Sequence, residues 1–144
     1  MSVARYLSKL ATLLGSDGKV PTAGVADAAI TRDKAANDLL GVTQNIQSGA
    51  YTLALTDIGK HVYSTNAGAQ TITVPTNASV AFPVGSAITL VNNGTTAITI
   101  STTGITLYQA GTANTGNRTL GTKGVATLLK VATDTWFVSG AGLT

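Results

Sequence analysis

QTITVPTNASVAFPVGSAITLVNN, residues 70 to 93, decides how the chain is read. Two short alternating segments, Gln70 to Val74 and Ser86 to Val91, flank a link that holds two of the three prolines, and the whole stretch carries no charge. In the second segment, alternation puts Ala87, Thr89 and Val91 on one face and Ile88 and Leu90 on the other, which is the period of a half-buried strand. Pro75 suits a strand exit, and Pro83 a stiff link that cannot pair with another edge.

The same signals recur outward from this stretch as far as residue 41. Candidate strands are 50 to 55, 61 to 64, 70 to 74, 86 to 92, 97 to 101, 105 to 108, 118 to 120, 124 to 132 and 135 to 139. Short strands at close spacing, with β-branched residues and 16 glycines for turns, predict an all-β domain with the pattern of a sandwich or barrel, and the reading adopted is a single jelly-roll-like antiparallel β-sandwich. Asn93-Gly94 predicts a hairpin between Ile88/Leu90 and Ile98/Ile100. Thr133-Asp134 predicts a second, with Trp136 or Val138 facing the core.

Upstream of residue 41 the chain changes character. Residues 1 to 40 hold nine of the fifteen charges and few threonines, so residues 1 to 40 read as an arm and residues 41 to 144 as the β module. Val3, Tyr6 or Leu7, Leu10 and Leu13 or Leu14 recur at three to four residues and predict one apolar stripe on a short helix that ends at Gly15. Residues 26 to 40 can form a second short helix, and the link through Pro21 is extended. The arm is therefore helical or extended, and its stripe of Val3, Tyr6, Leu7, Leu10 and Leu14 is the candidate attachment or oligomerisation element. The apolar stretch ATLL is too short for a signal peptide, so the amino terminus is expected to be retained.

Composition limits the chemistry. Only 10% of the 144 residues are charged, glutamate and cysteine are absent, and the net charge of +3 is scattered. Nucleic acid is a poor partner for so few dispersed basic residues, and no apolar run reaches the roughly 18 residues of a membrane helix. The 44% of hydrophobic residues on a small chain predicts burial against copies of itself or another protein.

Catalytic and metal groups are few. His61 is the only histidine, and no second imidazole, thiol or carboxylate pair accompanies it, so no metal or cofactor is expected. His61, Asp57 and Ser64 or Ser139 are the residue types of a hydrolytic triad, but no GxSxG elbow is present. Asp57 and Asp134 both sit in turn contexts, where each is expected to bond its own turn's amides. No catalytic residue is assigned. Tyr63, Tyr108 and Trp136 are the aromatic candidates for a sugar platform, with Trp136 more at home in a core. The polar, glycine-rich loop YQAGTANTGNRT is the candidate exposed contact loop, with Tyr108, Asn114, Asn117 and Arg118 as its contact residues.

YTLALTDIGK (51 to 60), ITVPTNASVAFPVGSAITLVN (72 to 92) and ATLLKVATDTWFVSG (126 to 140) carry a resemblance to a module of bacteriophage virion proteins, tail fibres and head-attached fibres among them. The likeness covers roughly residues 44 to 140, and LLGSDGKVPTAGVADAAIT (13 to 31) resembles the connecting part of such proteins. It implies a structural virion role without catalysis, a homotrimer, and contacts with capsid or tail components. A single β module, where a long fibre chains several, favours capsid decoration or a short head fibre on the virion surface, assembled in the host cytoplasm. The alternatives are a tail fibre or receptor-binding protein that contacts a host surface glycan, and, more distantly, a non-catalytic carbohydrate-binding module.

Overall fold

A computed structural model describes residues 41 to 144, in which strands are the main regular element and take up about half of the residues. Nine strands form: β1 (Gln44–Gln47), β2 (Tyr51–Thr52), β3 (His61–Ser64), β4 (Gln70–Thr73), β5 (Ala87–Asn92), β6 (Ile98–Ser101), β7 (Thr106–Gln109), β8 (Arg118–Ala132) and β9 (Thr135–Leu143). A single 3-10 turn, Leu55–Asp57, separates β2 from β3. The predicted apolar stripe of Val3, Tyr6, Leu7, Leu10 and Leu14 lies outside the described residues.

The strands belong to one sheet with the order β1-β3-β5-β8-β6-β4-β2, and β9 pairs with β8 and β7. Odd strands collect on one side and even strands on the other, so successive turns of chain each add one strand to either half. The two ends of this path, β1 and β2, are joined by only Ser48, Gly49 and Ala50, which brings the free edges together and nearly closes the sheet like a barrel.

The near closure agrees with the barrel that the strand pattern allowed, but five of the eight pairings are parallel, against the antiparallel sandwich adopted from the sequence. Alternation reports which face of a strand is buried, and both pairing modes satisfy it equally. The long β8 closes the winding: Arg118 to Leu120 pairs with β6, and Val125 to Leu129 pairs with β5, both antiparallel.

Asn93-Gly94 makes no hairpin, because β8 lies between β5 and β6. Gly94 is not in the left-handed region; a Cβ on it would stand 2.2 Å from the Asn66 carbonyl oxygen. The glycine permits one loop to lie on another. Thr95 and Thr96 donate their hydroxyls to the carbonyls of Ala67 (2.9 Å) and Gly68 (2.5 Å), so the link after β5 stacks on the link after β3. Thr133-Asp134 does form the predicted two-residue hairpin, with Asp134 at φ 52°. Its carboxylate accepts from the Asn77 amide at 2.5 Å, where the turn context predicted its own loop.

Inward alternate residues fill the interior: Val62, Leu90 and Ala126 lie in one row across three strands, Ile98 and Leu120 in another, with Ile72, Ile100, Leu107, Trp136 and Val138 also buried. The Pro75 to Pro83 link lies against one end of this core, where Phe82 packs edge-on to Trp136 at 5.4 Å. Buried Lys130 ties the link down by donating to Asn77 Oδ1 (2.6 Å) and the Phe82 carbonyl (2.7 Å), with its ammonium 6.0 Å from the centre of the Trp136 ring.

The polar side chain buried at the end of β5 is matched. Asn92 is fully buried; its Nδ2 serves the carbonyls of Thr96 (2.9 Å), Leu120 (3.0 Å) and Gly121 (3.1 Å), while Oδ1 accepts from Gly94 N (3.0 Å). One side chain thus binds the β5 exit to the bend of β8. Asn92→Ala removes the side-chain donor to those carbonyls, and the expected loss is about 3 kcal/mol of unfolding free energy, read from a lower urea midpoint at unchanged m.

Candidate interaction surface

The candidate triad residues are separated by the pleat. His61 and Ser64 are three residues apart on β3 and therefore point to opposite faces; Ser64 is buried and donates its hydroxyl to the Gln70 side chain. His61 shares the row His61, Thr89, Thr127, Ser139, which places Ser139 three strand spacings away, about 14 Å. Its Nε2 lies 3.0 Å from Gln44 Nε2. Asp57 is buried and accepts from Asn45 Nδ2 (2.7 Å), the Tyr51 hydroxyl (2.9 Å) and Ala54 N (2.8 Å), the last an amide that precedes the TDIGK turn whose amides the sequence predicted as its partners. Among the described residues no group of three or more metal-ligating side chains comes together.

Burial, followed by the hydrogen bond to Asp57, raises the Tyr51 phenol above its ordinary pKa. The neutral phenol is the form the fold favours, so its contribution is full below about pH 10, the unfolded value, and is lost as pH rises through the higher folded value. Wild-type stability should therefore fall more steeply above pH 10 than that of Tyr51→Phe, measured by urea unfolding across that range.

Tyr108, Asn114, Asn117 and Arg118 lie in different surroundings. Tyr108 is half-buried on β7 with its ring stacked on Phe137 at 5.2 Å and 27°. Asn117 turns its side-chain oxygen to Thr102, accepting from both the amide and the hydroxyl at 3.0 Å. Arg118 belongs to β8, where Nη1 donates to the Asn117 carbonyl (3.1 Å) and the buried Nε and Nη2 have no partner among the described residues. Asn114 is exposed in the loop, with its backbone amide donating to the Thr112 hydroxyl and its carbonyl accepting from Gln109 N. Trp136 is 1% exposed and therefore lies in the core, out of reach of a sugar. The loop's short internal bonds follow from its Thr and Asn content, whereas the Asn117–Thr102 latch spans 15 residues and has no local signal.

Sequence reasoning passed over the outer surface of the sheet. On the side of β5, β8 and β9, Val91 lies beside Val125 and Ala141, Thr89 beside Thr127 and Ser139, and Ala87 beside Leu129 and Phe137, which adjoins Tyr108. Val125, Leu129, Val131 and Phe137 are exposed, each by more than a third. Ala87, Ala110, Leu129, Val131 and Phe137, with Thr127 and Ser139, line a depression of about 590 Å³. No Lys, Arg or Asp stands in these rows. The signal was present as odd-numbered Val125, Thr127, Leu129 and Val131, whose alternation with buried neighbours leaves apolar groups outside.

On the other half, Thr71, Thr99 and Thr119 form one outward row, and Thr52, Thr73 and Ser101 another. This face is lined by hydroxyls and is likewise free of charge. None of the described helical segments is long and apolar enough to cross a membrane. The chain matches no family model, none of the curated proteins and no solved structure.

Proposed function

We propose that the protein is a structural component of a bacteriophage virion, a capsid decoration protein or short head fibre assembled as a homotrimer and anchored by its amino-terminal arm. The observation that carries the reading is the set of uncharged outward rows on the sheet, largely apolar on one half and hydroxyl-lined on the other. Such a surface suits contact with neighbouring subunits, since charged groups would have to be desolvated there. The resemblance of residues 44 to 140 to virion fibre modules supplies the kind of assembly. The antiparallel jelly roll of that expectation is replaced by the wound, mostly parallel sheet, which leaves the proposed role unchanged because the role depends on the surface.

Electron microscopy of intact particles tests the reading directly: density for the protein is expected on the head, and location on the tail, or absence from the particle, overturns it. Deleting residues 1 to 19 should abolish incorporation while the β module keeps its melting temperature. Retained incorporation would place the anchor elsewhere.

A receptor-binding role in a tail fibre is favoured by one observation, the Tyr108 ring stacked on the exposed Phe137 beside a polar loop. Aromatic faces next to hydroxyls are what sugars stack on. Glycan-array binding that Tyr108→Ala abolishes in a folded protein would select this reading over decoration.

A further inference from the structure

We propose that the outer face of β8 and β9, centred on Leu129 and Thr127, is the surface through which copies of this chain associate; this rests on the homo-oligomeric part of the proposed function. The occupant follows from the chemistry of the face. A charged surface repels an identical copy and needs a partner of opposite sign, but here the rows across β5, β8 and β9 hold apolar groups and hydroxyls, and the middle row continues on β3 to His61. A hydroxyl both donates and accepts, so the hydroxyls of Thr127 and Ser139 on one copy can bond the same groups on the next. Apolar and hydroxyl-bearing groups together form a set complementary to itself.

Thr89 and Thr127 already sit with their oxygens 3.2 Å apart, which holds this part of the face in one arrangement before association. The depression beside Leu129 and Phe137 offers room for an apolar side chain of a neighbour. Four strands about 4.8 Å apart and seven residues of about 3.3 Å cover roughly 440 Å² in projection, against about 800 Å² per partner in a standard interface. The contact is accordingly expected to be concentration-dependent.

The test uses the full chain in analytical ultracentrifugation across a wide concentration range. Wild type should move from monomer to oligomer, and Leu129→Lys should associate at least about a hundred-fold more weakly, because it buries an unpaired charge in each contact, with its melting temperature unchanged. Thr99→Lys, on the opposite half of the sheet, should associate like wild type. Because the chain has no cysteine, Ser139→Cys gives a second readout that does not depend on how the lysine variant folds: its thiol should react with maleimide when dilute and be protected when concentrated. An oligomer in which Leu129→Lys associates normally and Cys at 139 stays reactive overturns this face and leaves the oligomeric reading standing. A wild type that stays monomeric throughout overturns both. Protection that does not vary with concentration, which a cover from within the same chain would give, overturns the proposal as well.

Discussion

Trp136→Ala is expected to lower the unfolding free energy by about 3–5 kcal/mol, enough to leave a domain of this size with little folded population. Trp136 is almost fully buried, packs edge-on against Phe82 and lies beneath the Lys130 ammonium. Its removal opens a cavity where the Pro75 to Pro83 link meets the core, and the contact that orients Phe82 is lost with it. Lys130 then keeps its two hydrogen bonds but loses the ring beside its stem. A urea titration followed by circular dichroism measures the loss. A drop below about 1 kcal/mol would mean that the link collapses into the space and that the end of the core is less rigid than its packing implies.

Gly140→Val should be comparably damaging for the opposite reason. A Cβ at residue 140 would stand 2.1 Å from the Val125 carbonyl oxygen and 2.4 Å from Ala126 Cα, backbone atoms of the neighbouring strand. No rotamer relieves contacts with backbone, so β8 and β9 must separate where Ala126 pairs with Gly140. Overpacking ordinarily costs about 1–3 kcal/mol, and the forced parting of a central pair places this substitution at or above the upper end. Thermal unfolding of Gly140→Val beside Ser139→Val, whose added bulk points outward, separates the steric effect from strand propensity: only the former should lose its transition at moderate temperature.

These substitutions act on the interior, whereas the proposed role resides outside. Phe137 and Leu129 are outward neighbours of Trp136 and Leu128 on the same two strands. Each strand thus serves both purposes by alternation: even positions fill the core and odd positions form the outer surface proposed for contact with other subunits. Stability and assembly can therefore be perturbed independently, and Leu129→Lys and Trp136→Ala should give opposite patterns, one a folded monomer and the other a loss of folding.

Where strands lie was legible because the signal is local. His61–Ser64 matches the reading at both ends, and β4, β5 and β6 match within a residue, since alternation of Thr with Ile or Val needs no partner to be seen. β1 was passed over: Gln44–Gln47 alternates only Ile46 with amide side chains, and it pairs along β3 through its backbone. The turn at Thr133-Asp134 and the core position of Trp136 were readable for the same local reason. Asp57 was read correctly as a turn residue, while the buried partners of Asp134, Asn92 and Asn117 were not, because each bond reaches a segment 15 or more residues away.

By itself the sequence determined strand content, the buried face of each strand, the scarcity of charge and hence the narrow range of chemistry open to the chain. Tertiary structure alone decided that β5 and β6 would flank β8 instead of pairing, that odd and even strands would collect on separate halves, and that Asn93-Gly94 would stack a loop where a hairpin was expected. The physical reason is that alternation specifies a face and leaves the neighbour open, while pairing is chosen by the fit of distant side chains, such as Val62 against Leu90 and Leu90 against Ala126. The joined outer surface exists only once that choice is made, since its rows draw one residue from each of several strands far apart in the chain.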